Sequence, residues 1–201
     1  MSAKDNTVIF DLGNVVLFFD HGIFCRKLAS LYDLNEQFVF QKIFKEGIER
    51  KYDEGRLSPE HFTRQCSEAL GVQLDFLQFK AIWSDIFWKN SPVIDLIKLI
   101  KKRAGVFLLS NTNVWHVEYI RRHFRILELF KELIFSFEVG HTKPDKRIFE
   151  RAVELCKGSK QIIYIDDTDE HVRAAIDLGI SGIKYDEPNI LRSVLSGKGL
   201  L

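Results

Sequence analysis

The chain has 201 residues, 46% of them hydrophobic and 28% charged, with a formal net charge of +1. That balance excludes a disordered chain, and the near-zero charge removes any electrostatic case for nucleic acid or an anionic membrane as the main partner. No apolar run approaches the roughly 20 residues of a spanning helix, residues 1–6 are polar rather than a signal peptide, and Cys25, Cys66 and Cys156 match no zinc or redox spacing, so a reducing, cytoplasmic setting is expected.

In chain order, Thr7 to Phe10 is a β-branched and aromatic run that reads as a buried strand, ending in the carboxylate of Asp11. Gly13 and Asn14 turn the chain, and Val15 to Phe19 is a short apolar extension. From residue 20 to 87 the pattern becomes helical: Ile23, Leu28 and Leu31, then Phe62, Cys66 and Leu70, then Phe76, Phe79, Ile82 and Trp83 recur at helical spacing. About four helices and no convincing strand are expected there, one of them starting at Ser58-Pro59 with Ser58 as its cap. Strand and helix then alternate. Helices are expected over 93–103, 113–123, 145–156, 169–178 and 188–195, and strands over 106–109, 133–137, 161–165 and 180–184. This spacing predicts an α/β fold, a doubly wound parallel sheet with helices on both faces. Residues 1–19 and 88–201 then form the core, and 20–87 an all-helical insert standing over the carboxyl ends of the strands.

Polar residues collect where the strands end. Asp11 follows the first, Ser110-Asn111-Thr112 the second, Thr142-Lys143-Pro144-Asp145 comes after the third, and Asp166-Asp167 closes the fourth. In a parallel sheet these ends lie along one edge, where open α/β sheets bind ligands. A carboxylate, a hydroxyl, an ammonium and an acidic pair suit phosphoryl transfer through an aspartyl-phosphate. Asp11 is the nucleophile in that reading, Ser110 and Asn111 with Lys143 hold the phosphate, and Asp11, Asp166 and Asp167 are oxygen ligands for Mg²⁺.

These stretches together resemble the haloacid dehalogenase-like (HAD) hydrolase superfamily over almost the whole chain. Phe-Asp-Leu-Gly-Asn-Val-Val, Leu-Ser-Asn-Thr-Asn, Thr-Lys-Pro-Asp and Asp-Asp-Thr-Asp-Glu-His-Val are most similar to a branch containing sugar-phosphate phosphatases, including a glucose-1-phosphate phosphatase. The resemblance implies a Rossmann-like core, a helical cap, and Mg²⁺-dependent hydrolysis of a small soluble phosphate ester, with Asp11 and Lys143 as catalytic residues and the backbone of Gly13 as a metal ligand. The family usually carries a second Asp two positions after the nucleophile, as acid and base; here Gly13 stands there. The sequence therefore also leaves open a non-catalytic or regulatory phosphate-binding relative, or a dehalogenase-type hydrolase. Asp20 and His21 are replacements to weigh, against the simpler reading of a helix cap and an ordinary surface histidine. His21, Tyr52, Arg56 and Trp88 are candidates to read the leaving group. His116, His123 and His171 fall on helices and read as structural or exposed. Oligomeric state is not legible.

Overall fold

The computed structural model describes residues 6–201, so the polar tail read at residues 1–6 lies, but for Asn6, outside the described residues. The chain begins with β1 (Asn6–Phe10) and a short β2 (Leu17–Phe19). It then leaves the sheet through α1 (His21–Tyr32), α2 (Glu36–Phe40), a π-helical turn over Gln41–Lys45, α3 (Ile48–Asp53), α4 (Pro59–Leu70) and α5 (Phe76–Ser84). It returns through β3 (Phe87–Lys89), α6 (Ser91–Ile100), β4 (Gly105–Ser110), α7 (Val114–His123) and a 3-10 turn over Ile126–Leu129. β5 (Glu132–Phe135), α8 (Ser136–Val139), α9 (Lys146–Leu155), β6 (Gln161–Asp166), α10 (Asp169–Ile176), β7 (Ser181–Lys184) and α11 (Pro188–Gly197) complete it.

Five strands form one parallel sheet in the order β5-β4-β1-β6-β7. Successive side chains of a strand face opposite sides. Val8 and Phe10 therefore enter one core, with Leu108 and Ile165 and with Ile97, Leu191 and Leu195 of the covering helices. Ile9 enters the other, with Leu109, Tyr164, Ile148 and Phe149. Burial on both faces explains why these strands read as continuous apolar runs.

The helices between β2 and β3 have an aromatic core of their own, built on Phe24, Tyr52, Phe62, Phe79 and Trp83. That core also holds Trp115 of α7, whose ring meets Tyr52, Phe62, Phe76 and Phe79 edge-on. The insert thus packs directly on a helix of the sheet layer.

Three local features differ from the sequence reading. The region holds five helices, α1 to α5, with a π turn continuing α2. A β-ribbon forms its base: β2 and β3 pair antiparallel, Leu17 with Lys89 and Phe19 with Phe87, so β3 straddles the boundary expected between residues 87 and 88. Three-residue strands are too short to show an alternating pattern. Finally, the strand expected to reach Phe137 stops at Phe135 and turns into α8, because the Ser136 hydroxyl donates to the Thr112 carbonyl and accepts from the Thr112 N–H, drawing the chain off the sheet.

Candidate active site

Phe10 of the central strand pairs with Leu108 of β4 and Ile165 of β6, which brings the next residues, Asp11, Leu109 and Asp166, level at the carboxyl edge. The Asp11 N–H donates to the Ile165 carbonyl (2.8 Å), and one Asp11 oxygen, Oδ1, accepts from the Leu12 N–H (2.7 Å). Lys143 comes from the loop after α8. Its Nζ lies 2.7 Å from Asp11 Oδ1 and 2.7 Å from Asp166 Oδ2, and 3.5 Å from the Leu109 carbonyl. Asn111 sets that lysine in place: its amide accepts from the Lys143 N–H (2.7 Å) and donates to the Lys143 carbonyl (3.0 Å).

Asp166 is saturated. Besides Lys143, its oxygens accept from the Tyr164 hydroxyl and the Thr168 N–H (2.8 Å) and lie 3.1 Å from His171 Nδ1. Burial disfavours its charge, but Lys143 and His171 outweigh that and hold its carboxyl below the usual range. Asp11 behaves oppositely: burial, joined by the charges of Asp166 and Asp167, overcomes the pull of Lys143 and raises it to about 7. Burial works against the Lys143 ammonium too, yet Asp11 and Asp166 keep it above its ordinary value. Ligand atoms of Asp11, Asp166 and Asp167 all lie within 4.8 Å of one another. One ammonium serves three clustered carboxylates, so the donor set fits a hard, oxygen-seeking divalent cation.

A cavity of about 510 Å³ opens over this edge. Leu12, Gly13, Ser110, Thr112 and Lys143 line its floor, and the insert lines its roof with Phe19, His21, Phe44, Glu49 and Asp53, beside His116 of α7. α3 is docked on the edge. Asn113 donates to Asp53 Oδ1 (2.8 Å), Thr142 donates to Glu54 (3.2 Å), and Arg50 and Arg56 each place a guanidinium nitrogen 3.0 Å from Glu54. Burial raises Glu49 to about 7, and burial together with the charge of Glu49 raises Asp53 well above its ordinary value. Burial also keeps both histidines neutral, lowering His21 to about 4 and His116 to about 3.

The sequence model of the haloacid dehalogenase-like hydrolase family matches residues 6–179. The chain belongs to the haloacid dehalogenase-like hydrolases. D-ribitol-5-phosphate phosphatase of Bacteroides thetaiotaomicron is 26% identical over 180 residues, covering 86% of this chain and 87% of that protein. The solved structure of a HAD family enzyme from the same organism, in complex with magnesium and inorganic phosphate, is similar with a TM-score of 0.80 at 24% identity, covering 90% of this chain and 94% of that one. L-2-haloacid dehalogenase from Xanthobacter autotrophicus shares the fold at a TM-score of 0.64 and 14% identity, over 95% of this chain and 82% of that one. No helix among the described residues of this HAD hydrolase is long and apolar enough to cross a membrane.

Asp11, Asp166, Asp167 and Lys143 lie in one cluster at the edge, and Gly13 and Ser110 line the cavity there together with Lys143. Asn111 also lines the cavity, but its amide spends one N–H and one acceptor site on the Lys143 backbone. The helix start after β4 is also partly occupied, since the Thr112 N–H donates to Ser136 and the His116 N–H to Asn113. Asp20 caps α1 through the Gly22 N–H (2.7 Å), but His21 is no surface histidine; it lines the cavity. Tyr52 is buried against Phe62, Arg56 pairs with Glu54, and Trp88 is exposed on the ribbon beside Phe18, so none of the three lines the cavity. Sequence reasoning missed Glu49, Asp53 and the contact of His171 with Asp166. Glu49 and Asp53 are four residues apart on α3, a helical spacing that puts them on one face and was available as a signal.

Proposed function

We propose that this HAD hydrolase is a magnesium-dependent phosphomonoesterase acting on a small, soluble phosphate ester through an aspartyl-phosphate on Asp11. The observation that carries the reading is the Lys143 ammonium held 2.7 Å from both Asp11 and Asp166, with a third carboxylate, Asp167, in the same cluster. The likeness to a D-ribitol-5-phosphate phosphatase supports a polyol or sugar phosphate as substrate, and the size of the cavity suits one.

The Leu12 N–H and Lys143 both bind Oδ1 of Asp11, leaving Oδ2 as the attacking atom. Lys143 on the cavity floor compensates the phosphoryl oxygens, joined by the Ser110 hydroxyl when it turns from the Asn111 carbonyl, to which it donates at 3.2 Å in this structure. Asp166, already saturated, serves to orient Lys143. Asp11 and Asp167, with the Gly13 carbonyl, are the residues left to hold magnesium. When bound, the ion offsets the charge that would otherwise keep two anions apart. The roof residues stand over the place of the reacting phosphate.

The test is phosphate release from sugar and polyol phosphates and an aryl phosphate, with and without Mg²⁺, beside Asp11→Asn. Mg²⁺-dependent release that is lost in the variant is expected. Release that persists in Asp11→Asn, or none from any ester, overturns the reading.

A further inference from the structure

An alcohol leaves phosphorus as a high-energy alkoxide unless it receives a proton, and the floor of this cavity has no group to give one. Residue 13 has no side chain, and the Phe19 ring occupies the space beside it. Lys143 is locked between two carboxylates and keeps its proton. On the roof, His116 faces the Trp83 carbonyl through Nε2 (3.1 Å) and Asn113 through Nδ1 (3.2 Å), and Asp53 is tied to Asn113. Glu49 is differently placed. Among the described residues its carboxyl makes no hydrogen bond; His21 Nε2 stands 3.9 Å away, Asp53 is close enough to feel its charge, and it lines the cavity that Ser110 and Lys143 also line. The His21 ring is itself held between Phe44 (4.3 Å) and Phe19 (4.9 Å). Because α3 is anchored through Asp53 and Glu54, Glu49 is presented to the floor by a docked helix rather than a mobile loop.

We propose that Glu49 is the proton donor and acceptor of this site; this rests on the phosphomonoesterase reading above. In the first half-reaction Asp11 Oδ2 forms a bond to phosphorus and the bond from phosphorus to the leaving oxygen breaks. Its electron pair stays on that oxygen, which takes the Glu49 proton and departs as the alcohol. In the second, a water oxygen bonds to phosphorus while its proton returns to the Glu49 carboxylate, and the acyl phosphate bond breaks with its electron pair going back to Asp11. Burial supports the role by raising Glu49 to about 7, so both protonation states are accessible near neutrality. The charged or titratable groups around it are Asp53 and Arg50 on α3, His21 on α1 with Asp20 at its cap, Lys45 on the π turn, His116 on α7 and Lys143 on the floor.

The experiment compares wild type with Glu49→Gln in magnesium-containing buffer. The substrates are three alkyl phosphates (ribitol 5-phosphate, glucose 6-phosphate and glycerol 3-phosphate) and p-nitrophenyl phosphate, whose leaving group departs unprotonated. Wild type is expected to turn over at least one alkyl ester and the aryl ester. The variant is expected to lose roughly 10²–10⁴-fold in kcat on the alkyl ester with little change in KM. On the aryl ester it should keep a first turnover within about threefold of wild type and then slow, giving a burst of nitrophenolate as the phosphoenzyme waits for its base. Orthovanadate should inhibit both proteins alike, showing an intact floor. A variant that keeps alkyl turnover, one that raises KM alone, or one that loses aryl phosphorylation and vanadate inhibition together overturns the role of Glu49. A wild type active only on the aryl ester also overturns it, since no acid is then present. A wild type silent on every ester sinks the phosphatase reading itself.

Discussion

Phe19 occupies the place of a side chain at Gly13: a Cβ built on residue 13 would lie 2.7 Å from Phe19 Cε1. The ring packs on His21 at 4.9 Å and on Phe87 at 6.1 Å, contacts it must give up to make room for a larger residue 13. The bare Gly13 and the Phe19 ring of the ribbon therefore form one packing arrangement.

Gly13→Asp should accordingly destabilise the protein by about 1–3 kcal/mol, the usual range for overfilling a packed site. Adding Phe19→Ala removes the clash, so the double variant should be more stable than the sum of the two single losses. Chemical denaturation of the four proteins gives the coupling energy. Simple additivity would mean that the ring and the new carboxylate do not compete for space.

Asn111 clamps the backbone that carries Lys143 with hydrogen bonds of 2.7 and 3.0 Å. Asn111→Ala removes both, at about 1 kcal/mol each, and leaves a partly buried N–H and C=O to find water. Lys143 then loses its fixed reach to Asp11. We expect kcat on p-nitrophenyl phosphate to fall roughly 10–100-fold with KM little changed, since the chemical step suffers more than binding. A rise in KM at constant kcat would instead make Asn111 a phosphate ligand.

The contrast between Asn111 and Ser110 shows what was legible. Asp11, Ser110 and Asp166-Asp167, each at a strand end, locate the edge of the site because parallel strands finish on one side, and Lys143 joins them from the loop after α8. Which way a side chain turns at that edge depends on partners distant in sequence, such as Lys143 for Asn111 or Ser136 for Thr112, and no local pattern carries that. The roof was less legible still. Tyr52 and Glu49 share α3, yet Tyr52 faces the insert's aromatic core and Glu49 the cavity, and only the docking of α3 through Asp53 and Asn113 distinguishes the two faces. The ribbon of β2 and β3 escaped because three residues do not make a period.

Gly55 closes the docking of α3. Its φ is +66°, and a Cβ there would come 2.3 Å from the Phe137 carbonyl oxygen, a backbone atom of α8 that has nowhere to go. Gly55→Ala combines left-handed strain with that collision and should cost more than about 2 kcal/mol. The damage should concentrate where α3 meets the sheet edge, so amide exchange should quicken over residues 48–57 and the loop at 140–144 before it does so elsewhere. Uniform loss of protection across the chain would show that the insert and the sheet unfold as one unit.

His116 should set part of the acid limb of stability. It is buried, its two ring nitrogens face the Trp83 carbonyl and the Asn113 amide, and burial, reinforced by His21, lowers it to about 3. Above the unfolded value of roughly 6.5 the imidazole is neutral in both states and contributes no pH dependence. Below it the unfolded chain binds a proton that the fold refuses, so stability falls as pH drops from about 6.5 toward the folded value. Between pH 7 and pH 5 this one residue should remove about 2 kcal/mol. His116→Gln keeps a donor for the Trp83 carbonyl and an acceptor for Asn113 but cannot titrate. Its stability at pH 7 should be at or somewhat below that of wild type, and the gap should close or reverse by pH 5. Denaturation curves at both pH values check this by their difference, in which the carboxylates common to the two proteins cancel. Equal slopes for the two proteins would mean that the fold accepts an imidazolium between Trp83 and Asn113, and that the amide of Asn113 turns to receive it.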